Sequence, residues 1–202
     1  LKNVVDEKKI FIKPYFTDMQ PWLLNDKKRN YYIYISRIEY VKGIYVILEA
    51  FKYLPEERLI VLGVGADQKK AQKYTKDNQL KNIEFIEWKP KEEMLQLLYN
   101  AKALVFPTQL YEGYPMTIVE SMAVGTPVIG SNLGNVGTII RNKHNGLLFQ
   151  YNSSEDLREK IQYFNEHTEL AYQMEIGAQK YFKDNHMPDY VYEKTIKIYA
   201  GL

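Results

Sequence analysis

The sequence predicts an α/β fold, a single doubly wound parallel sheet followed by a helical C-terminal tail. Three observations predict it. Short β-branched runs alternate with segments of helical period along most of the chain. The runs stop at turn signals, among them Gly63-Val-Gly65, Pro107 and Gly125-Thr-Pro127. The length, 202 residues, is long for one ordinary domain and short for two, and a single domain of that size buries roughly 70% of its unfolded surface.

The elements follow in order. Tyr32-Ile-Tyr-Ile35 reads as a first strand, with a loop and then a helix over 42–51. Arg58 to Leu62 is a second strand, ended by Gly63-Val-Gly65 and followed by a polar helix over 66–78. Ile83 to Ile86 is a third strand, and 91–100 is a helix with Met94, Leu97 and Leu98 on one face. Ala103 to Phe106 is a fourth strand, stopped by Pro107, with a helix over 116–124. Pro127 to Ile129 and Gly146 to Phe149 are the fifth and sixth strands, and 131–136 between them reads as a loop. A helix over 153–165 opens with Ser153 and Asp156 at capping-box spacing, and helices over 169–183 and 188–199 close the chain. Residues 1–30 are charged, proline-punctuated and weakly periodic, a lead-in segment; 31–165 form the sheet domain, and 166–202 are helices packing on it.

Composition narrows the function classes. The chain is 46% hydrophobic and 26% charged with a net charge of +2 and scattered lysines, so nothing in it calls for nucleic acid. The 18 tyrosines are spread through helices and strands, which favours packing over a base-stacking platform. Absence of cysteine excludes disulfides, cysteine-based zinc sites and a thiol nucleophile. No apolar run approaches the roughly 18 residues that span a bilayer. The first residue is Leu1, which leads to the expectation that the chain is excised from a longer one.

Ligands of open parallel sheets bind beyond the carboxyl ends of the strands, so chemistry is sought in the loops there. The first, Ser36-Arg-Ile-Glu-Tyr-Val-Lys-Gly43, places Arg37 past a strand and Lys42 at the start of a helix. Two cations beside helix amides suit a pyrophosphate, although both could equally be solvated loop charges. Gly63-Val-Gly65 invites a dinucleotide reading, but Gln68 stands where the third glycine belongs, and a plain backbone turn explains the pair as well.

The richest stretch is Tyr111-Glu-Gly-Tyr-Pro-Met-Thr-Ile-Val-Glu-Ser121. Thr117 and Glu120 fit a capping box, which would account for Glu120 fully. No local structural role accounts for Glu112. The amides of Met116 and Thr117, at a helix amino terminus, would attract an anion. Carboxylates on either side of a bound nucleotide diphosphate accept hydrogen bonds from sugar hydroxyls, so the pair suits a carbohydrate.

This segment, with glutamates eight positions apart behind the Arg37/Lys42 loop, resembles the retaining glycosyltransferase family 4, also called glycosyl transferases group 1. The similarity also covers Val61 to Gly65, Asn82 to Phe85, Ala103 to Pro107, Gly125 to Ile129, Asn145 to Phe149 and the Asp189-to-Tyr199 tail, about nine-tenths of the chain. It implies the Rossmann-like C-terminal, donor-binding half of a GT-B enzyme, with a preceding N-terminal half as the missing partner. It implies a nucleoside diphosphate sugar donor, UDP- or GDP-linked, a sugar or lipid-linked acceptor, and no cofactor. Arg37 and Lys42 would neutralise the diphosphate, and Glu112 would hold the sugar hydroxyls, these three forming the catalytic set. Glu120 would hold the ribose, and Gly113, Tyr114, Pro115, Met116 and Thr117 would cradle the distal phosphate and sugar. Gly63, Gly65, Trp88 and Lys89 complete the expected donor site, with Trp88 to Pro90 against the base.

Departures from the family pattern are Ser36 where glycine usually precedes the arginine, Pro115 in place of a small residue with an amide to donate, and Gly134-Asn135…Thr138 in place of a Gly-Gly…Glu run. No D-x-D triplet occurs, and the cations and helix terminus are expected to do the work of a metal. His144, His167 and His186 match no family position and are expected at the surface. The resemblance further implies work in polysaccharide or glycoconjugate synthesis in the cytoplasm or at the inner face of a membrane, with any membrane contact made through the other half. A non-catalytic donor-binding subunit needing a partner chain is the alternative, and a nicotinamide-dependent protein is disfavoured by the broken glycine pattern.

Overall fold

The computed structural model describes residues 11, 13, 15–24 and 29–201; the remainder of the lead-in segment lies outside the described residues. Six strands form one sheet: β1 (Tyr32–Ile35), β2 (Leu59–Leu62), β3 (Ile83–Ile86), β4 (Leu104–Phe106), β5 (Val128–Ser131) and β6 (Gly146–Phe149). Their order is β3-β2-β1-β4-β5-β6, and every pairing is parallel. This is a Rossmann-like doubly wound sheet, whose connections diverge from the central β1–β4 pair. The helices are α1 (Ile44–Lys52), α2 (Gln68–Asp77), α3 (Lys91–Tyr99), α4 (Met116–Ala123), α5 (Gly134–Ile139), α6 (Ser154–Glu166), α7 (Thr168–His186) and α8 (Pro188–Ala200).

Alternation along each strand splits the core into two layers. Ile33, Ile35, Ile60, Leu62, Leu104 and Phe106 pack with α3, α4 and α7, while Tyr32, Tyr34, Leu59, Val61 and Val105 pack with α1 and α6. Tyr32 and Tyr34 are fully buried, and each hydroxyl has a partner, as burial of a polar group demands. Tyr32 donates to Asn165 Oδ1 at 2.9 Å, and Tyr34 donates to the Arg37 carbonyl at 2.8 Å. The second bond ties a core residue of β1 to the loop that follows it.

Three expectations need correction. Residues 134–139 are helical rather than loop, since Val136 and Ile139 are buried against the core and tertiary packing overrides two weak helix formers. Lys42 closes a short 3-10 turn, Tyr40–Lys42, and Gly43 at φ +77° separates it from α1. Ser153 does cap α6, accepting from the Asp156 amide at 3.1 Å, but the Asp156 carboxylate accepts from the Gln150 amide at 2.6 Å instead of closing the box.

The lead-in residues run across the α4–α7 side. Trp22 donates its amide to the Ala123 carbonyl at 3.2 Å and packs on Tyr99, and Arg29 pairs with the buried Glu175 of α7. Among the described residues, no helix is long and apolar enough to cross a membrane.

Candidate functional site

A cleft of about 460 Å³ opens at the carboxyl ends of β1 and β4, where the strand order reverses. Arg37, Lys42, Trp88, Lys91, Glu112, Pro115, Thr117 and Glu120 line it. A larger cavity, about 610 Å³, lies at the amino ends of the strands; its charges are already matched, Arg29 with Glu175 and Lys102 with Glu57.

The first wall is the Ser36–Gly43 loop. Ser36 and Ile38 donate amides to Leu62 and Val64, and Tyr40 donates its amide to Asp67 Oδ2 at 2.7 Å. A Cβ on Gly63 or Gly65 would collide with the carbonyls of Ser36 or Ile38, so these glycines serve backbone packing beneath the loop. They are not among the cleft's lining residues. Gly43 has the left-handed backbone that glycine alone adopts freely, and a Cβ there would strike the Pro107 carbonyl. That close approach sets Lys42 against the exit of β4.

There Lys42 Nζ donates to Glu112 Oε1 at 2.8 Å, with both side chains mostly buried. Thr108 Oγ1 donates to the same oxygen at 2.8 Å. Glu112 is therefore not the partnerless carboxylate its local sequence suggests. The Asn135 side chain donates to the Glu112 carbonyl at 3.0 Å and also to the Gly113 carbonyl, bracing the corner from α5. Arg37, by contrast, is 64% exposed and paired with Glu39 at 2.8 Å.

The second carboxylate sits on α4. Thr117 is not the N-cap: Pro115 occupies that position with no side-chain cap, and the helix begins at Met116. Glu120 is consequently free of the capping box. It turns into the cleft, where burial raises its pKa above the ordinary range and Lys91, 3.7 Å away, acts in the opposite sense. The amides of Met116 and Thr117 open α4, at the positive end of its dipole.

Among the other expected residues, Trp88 is 58% exposed at the rim. Lys89 pairs with Glu93 at 3.4 Å, outside the lining. Gly113 has open space around its α-carbon, and Tyr114 turns away from the cleft toward His186. His144 and His167 are exposed as expected, but His186 is fully buried. Ala178, Phe182 and His186 share one buried stripe of α7, a period of four that the polar neighbours of His186 conceal.

Lys91 and Thr108 are not among the residues expected from the sequence, and Asn135 figures there only as a departure from the family pattern. Lys91 carried a usable signal, since a lysine in the first turn of a helix opposes the dipole and needs another reason to be there.

The profile of the family "Glycosyl transferases group 1" matches residues 17–181. A glycosyltransferase of Methanocaldococcus jannaschii, described as uncharacterized, is 31% identical over 163 residues, covering 80% of this chain and 46% of that protein. The crystal structure of Anabaena HepE in complex with UDP superposes with a TM-score of 0.79 at 19% identity, covering 87% of this chain and 50% of that one. A mutant of S. aureus TarM, crystallised with Fondaparinux, α-GlcNAc-glycerol and UDP, gives 0.82 at 20% identity, covering 98% of this chain and 41% of that one. These two share the fold. The chain spans about half the length of the relatives it matches.

Proposed function

Because the chain belongs to the glycosyl transferases group 1 family, we propose that its cleft binds a nucleoside diphosphate sugar and that it is the donor-binding half of a retaining, metal-independent glycosyltransferase. One observation carries the reading: Lys42, Arg37, Glu112, Glu120 and the amino terminus of α4 converge on a single cleft at the switch point. Cations and a helix terminus suit a diphosphate, and carboxylates suit hydroxyls. UDP in the HepE and TarM structures points to the same ligand class.

In this reading Glu120 accepts from the ribose and Glu112 from the sugar. As the bond from the sugar's anomeric carbon to the diphosphate breaks, Lys42 and Arg37 stabilise the charge that develops on the leaving group. The acceptor oxygen bonds to that carbon on the same face, and its proton passes to the departing phosphate oxygen. The acceptor site and the remainder of the catalytic machinery belong to a second half, so this chain alone is expected to transfer little or no sugar.

Titration calorimetry with UDP, GDP, ADP and NAD tests the reading. At least one nucleoside diphosphate is expected to bind, with EDTA leaving its affinity unchanged; NAD binding without any diphosphate binding overturns it. Arg37→Ala is expected to lower that affinity by no more than about fivefold, since an exposed, already paired cation contributes little. Glu120→Gln is expected to weaken nucleoside binding while leaving the melting temperature unchanged or slightly raised. The substitution removes an ionised group that burial disfavours, and no cap is lost.

A further inference from the structure

His186 lies at the end of α7, fully buried and outside the cleft's lining. Aromatic side chains from three segments gather at its ring: Tyr114 meets His186 edge-on at 5.7 Å between centroids, Tyr181 and Phe182 of α7 lie at 5.7 and 6.2 Å, and Tyr15 of the lead-in packs at a tilt on Tyr114. His186 Nδ1 stands 2.8 Å from the Tyr15 carbonyl, and Nε2 stands 3.3 Å from the Tyr114 hydroxyl.

These partners define the tautomer. A carbonyl oxygen only accepts, so Nδ1 carries the proton. Burial favours the neutral ring, which leaves Nε2 with a lone pair. Burial also pushes the Tyr114 phenol up to about 12, so Tyr114 keeps its proton and donates it to Nε2. Tyr114 lies two residues after Glu112 and two before Met116, between the exposed Gly113 and the buried Pro115. The corner is thus held by two helices, by Asn135 of α5 at the Glu112 and Gly113 carbonyls and by His186 of α7 at Tyr114.

We propose that His186 is a positioning residue for the donor sugar: through Tyr114 it holds the corner that carries Glu112, so that this carboxylate faces the sugar. The proposal rests on the sugar-nucleotide reading of the cleft. Lys42, Arg37 and Glu120, the side chains that would hold diphosphate and ribose, make no hydrogen bond or ion pair with this cluster among the described residues. Loss of the His186 bond should therefore affect recognition of the sugar and spare the nucleotide.

The test uses His186→Phe, which keeps a ring but removes both nitrogens, Tyr114→Phe, which removes only the hydroxyl, their double variant, and His186→Gln, whose carboxamide oxygen can accept in place of Nε2. Ring 15N shifts of the unsubstituted chain should report the Nδ1-protonated tautomer; the opposite tautomer overturns the proposal. Amide hydrogen exchange across 112–118 should rise about three- to tenfold in each phenylalanine variant, the weight of one neutral hydrogen bond. The double variant should show no further rise, His186→Gln should restore protection, and β1 and β2 should not change. Unaltered exchange across the corner overturns the proposal.

Binding supplies the functional readout, comparing UDP-glucose with UDP and GDP-mannose with GDP. The preference for the sugar conjugate should fall while affinity for the free diphosphate stays within about twofold; equal loss for both makes His186 merely structural and overturns the proposal. Absence of binding by every nucleotide in the unsubstituted chain would instead refute the reading of the cleft, and the exchange experiment would still decide whether His186 holds the corner.

Discussion

Replacing Lys42 with alanine is expected to lower the affinity for a nucleoside diphosphate by about ten- to a hundredfold, the weight of one charge-assisted hydrogen bond. Lys42 is the cation that the fold positions most firmly, held behind Gly43 and mostly screened from solvent by Glu112. A screened cation acts on a phosphate at lower effective dielectric than an exposed one, and so counts for more than Arg37. The ion pair with Glu112 supplies a second outcome of opposite sign. Glu112→Gln removes the negative charge that partly neutralises Lys42, so free diphosphate should bind as tightly as before or more tightly. The same substitution removes the proposed acceptor for the sugar hydroxyls, so the preference for the sugar conjugate should drop. Calorimetry on both variants separates the two effects, and a Lys42→Ala chain that binds diphosphate normally removes Lys42 from the site.

The largest effect on stability is expected from Gly43→Ala. A left-handed alanine costs about 1–2 kcal/mol from its backbone alone, and forcing a methyl into packed structure adds about 1–3 kcal/mol. The added carbon would meet the Pro107 backbone rather than a flexible side chain, so relief requires the exit of β4 to move. Denaturant unfolding should show a loss of about 2–5 kcal/mol by these two contributions. Nucleotide affinity should fall as well in whatever fraction remains folded, because Lys42 and Glu112 are brought together by that same approach. A stable Gly43→Ala chain would mean the 3-10 turn can be presented in another way.

Much of this architecture was legible in the residues. Strands Tyr32–Ile35, Ile83–Ile86 and Gly146–Phe149 lie where their apolar runs place them, and Arg37, Lys42, Glu112 and Glu120 do line one cleft. The failures share a cause, which is that the deciding partner is remote in sequence. Glu112 showed no structural partner because Lys42 is 70 residues away. Helix α5 was hidden by Gly134 and Gly137, whose low propensity is overcome by burial of Val136 and Ile139. At Thr117 the capping pattern was present, but Pro115 already occupies the N-cap position one residue before the helix. His186 looked like a surface residue among Lys183, Asp184 and Asn185, although its period with Phe182 and Ala178 pointed inward.

The central β1–β4 pairing has a consequence for how the molecule comes into being. Residues 32–99 build β1 to β3 with their helices, residues 104–149 build β4 to β6, and the two half-sheets join along the β1–β4 seam, where Ile33 lies beside Leu104. Lys42 belongs to one half and Glu112 to the other, so neither half contains the proposed site. Loop-closure entropy must be overcome before such distant contacts yield any return. The proposed site therefore requires the β1–β4 pairing, and in refolding nucleotide binding is expected to be gained no earlier than that pairing.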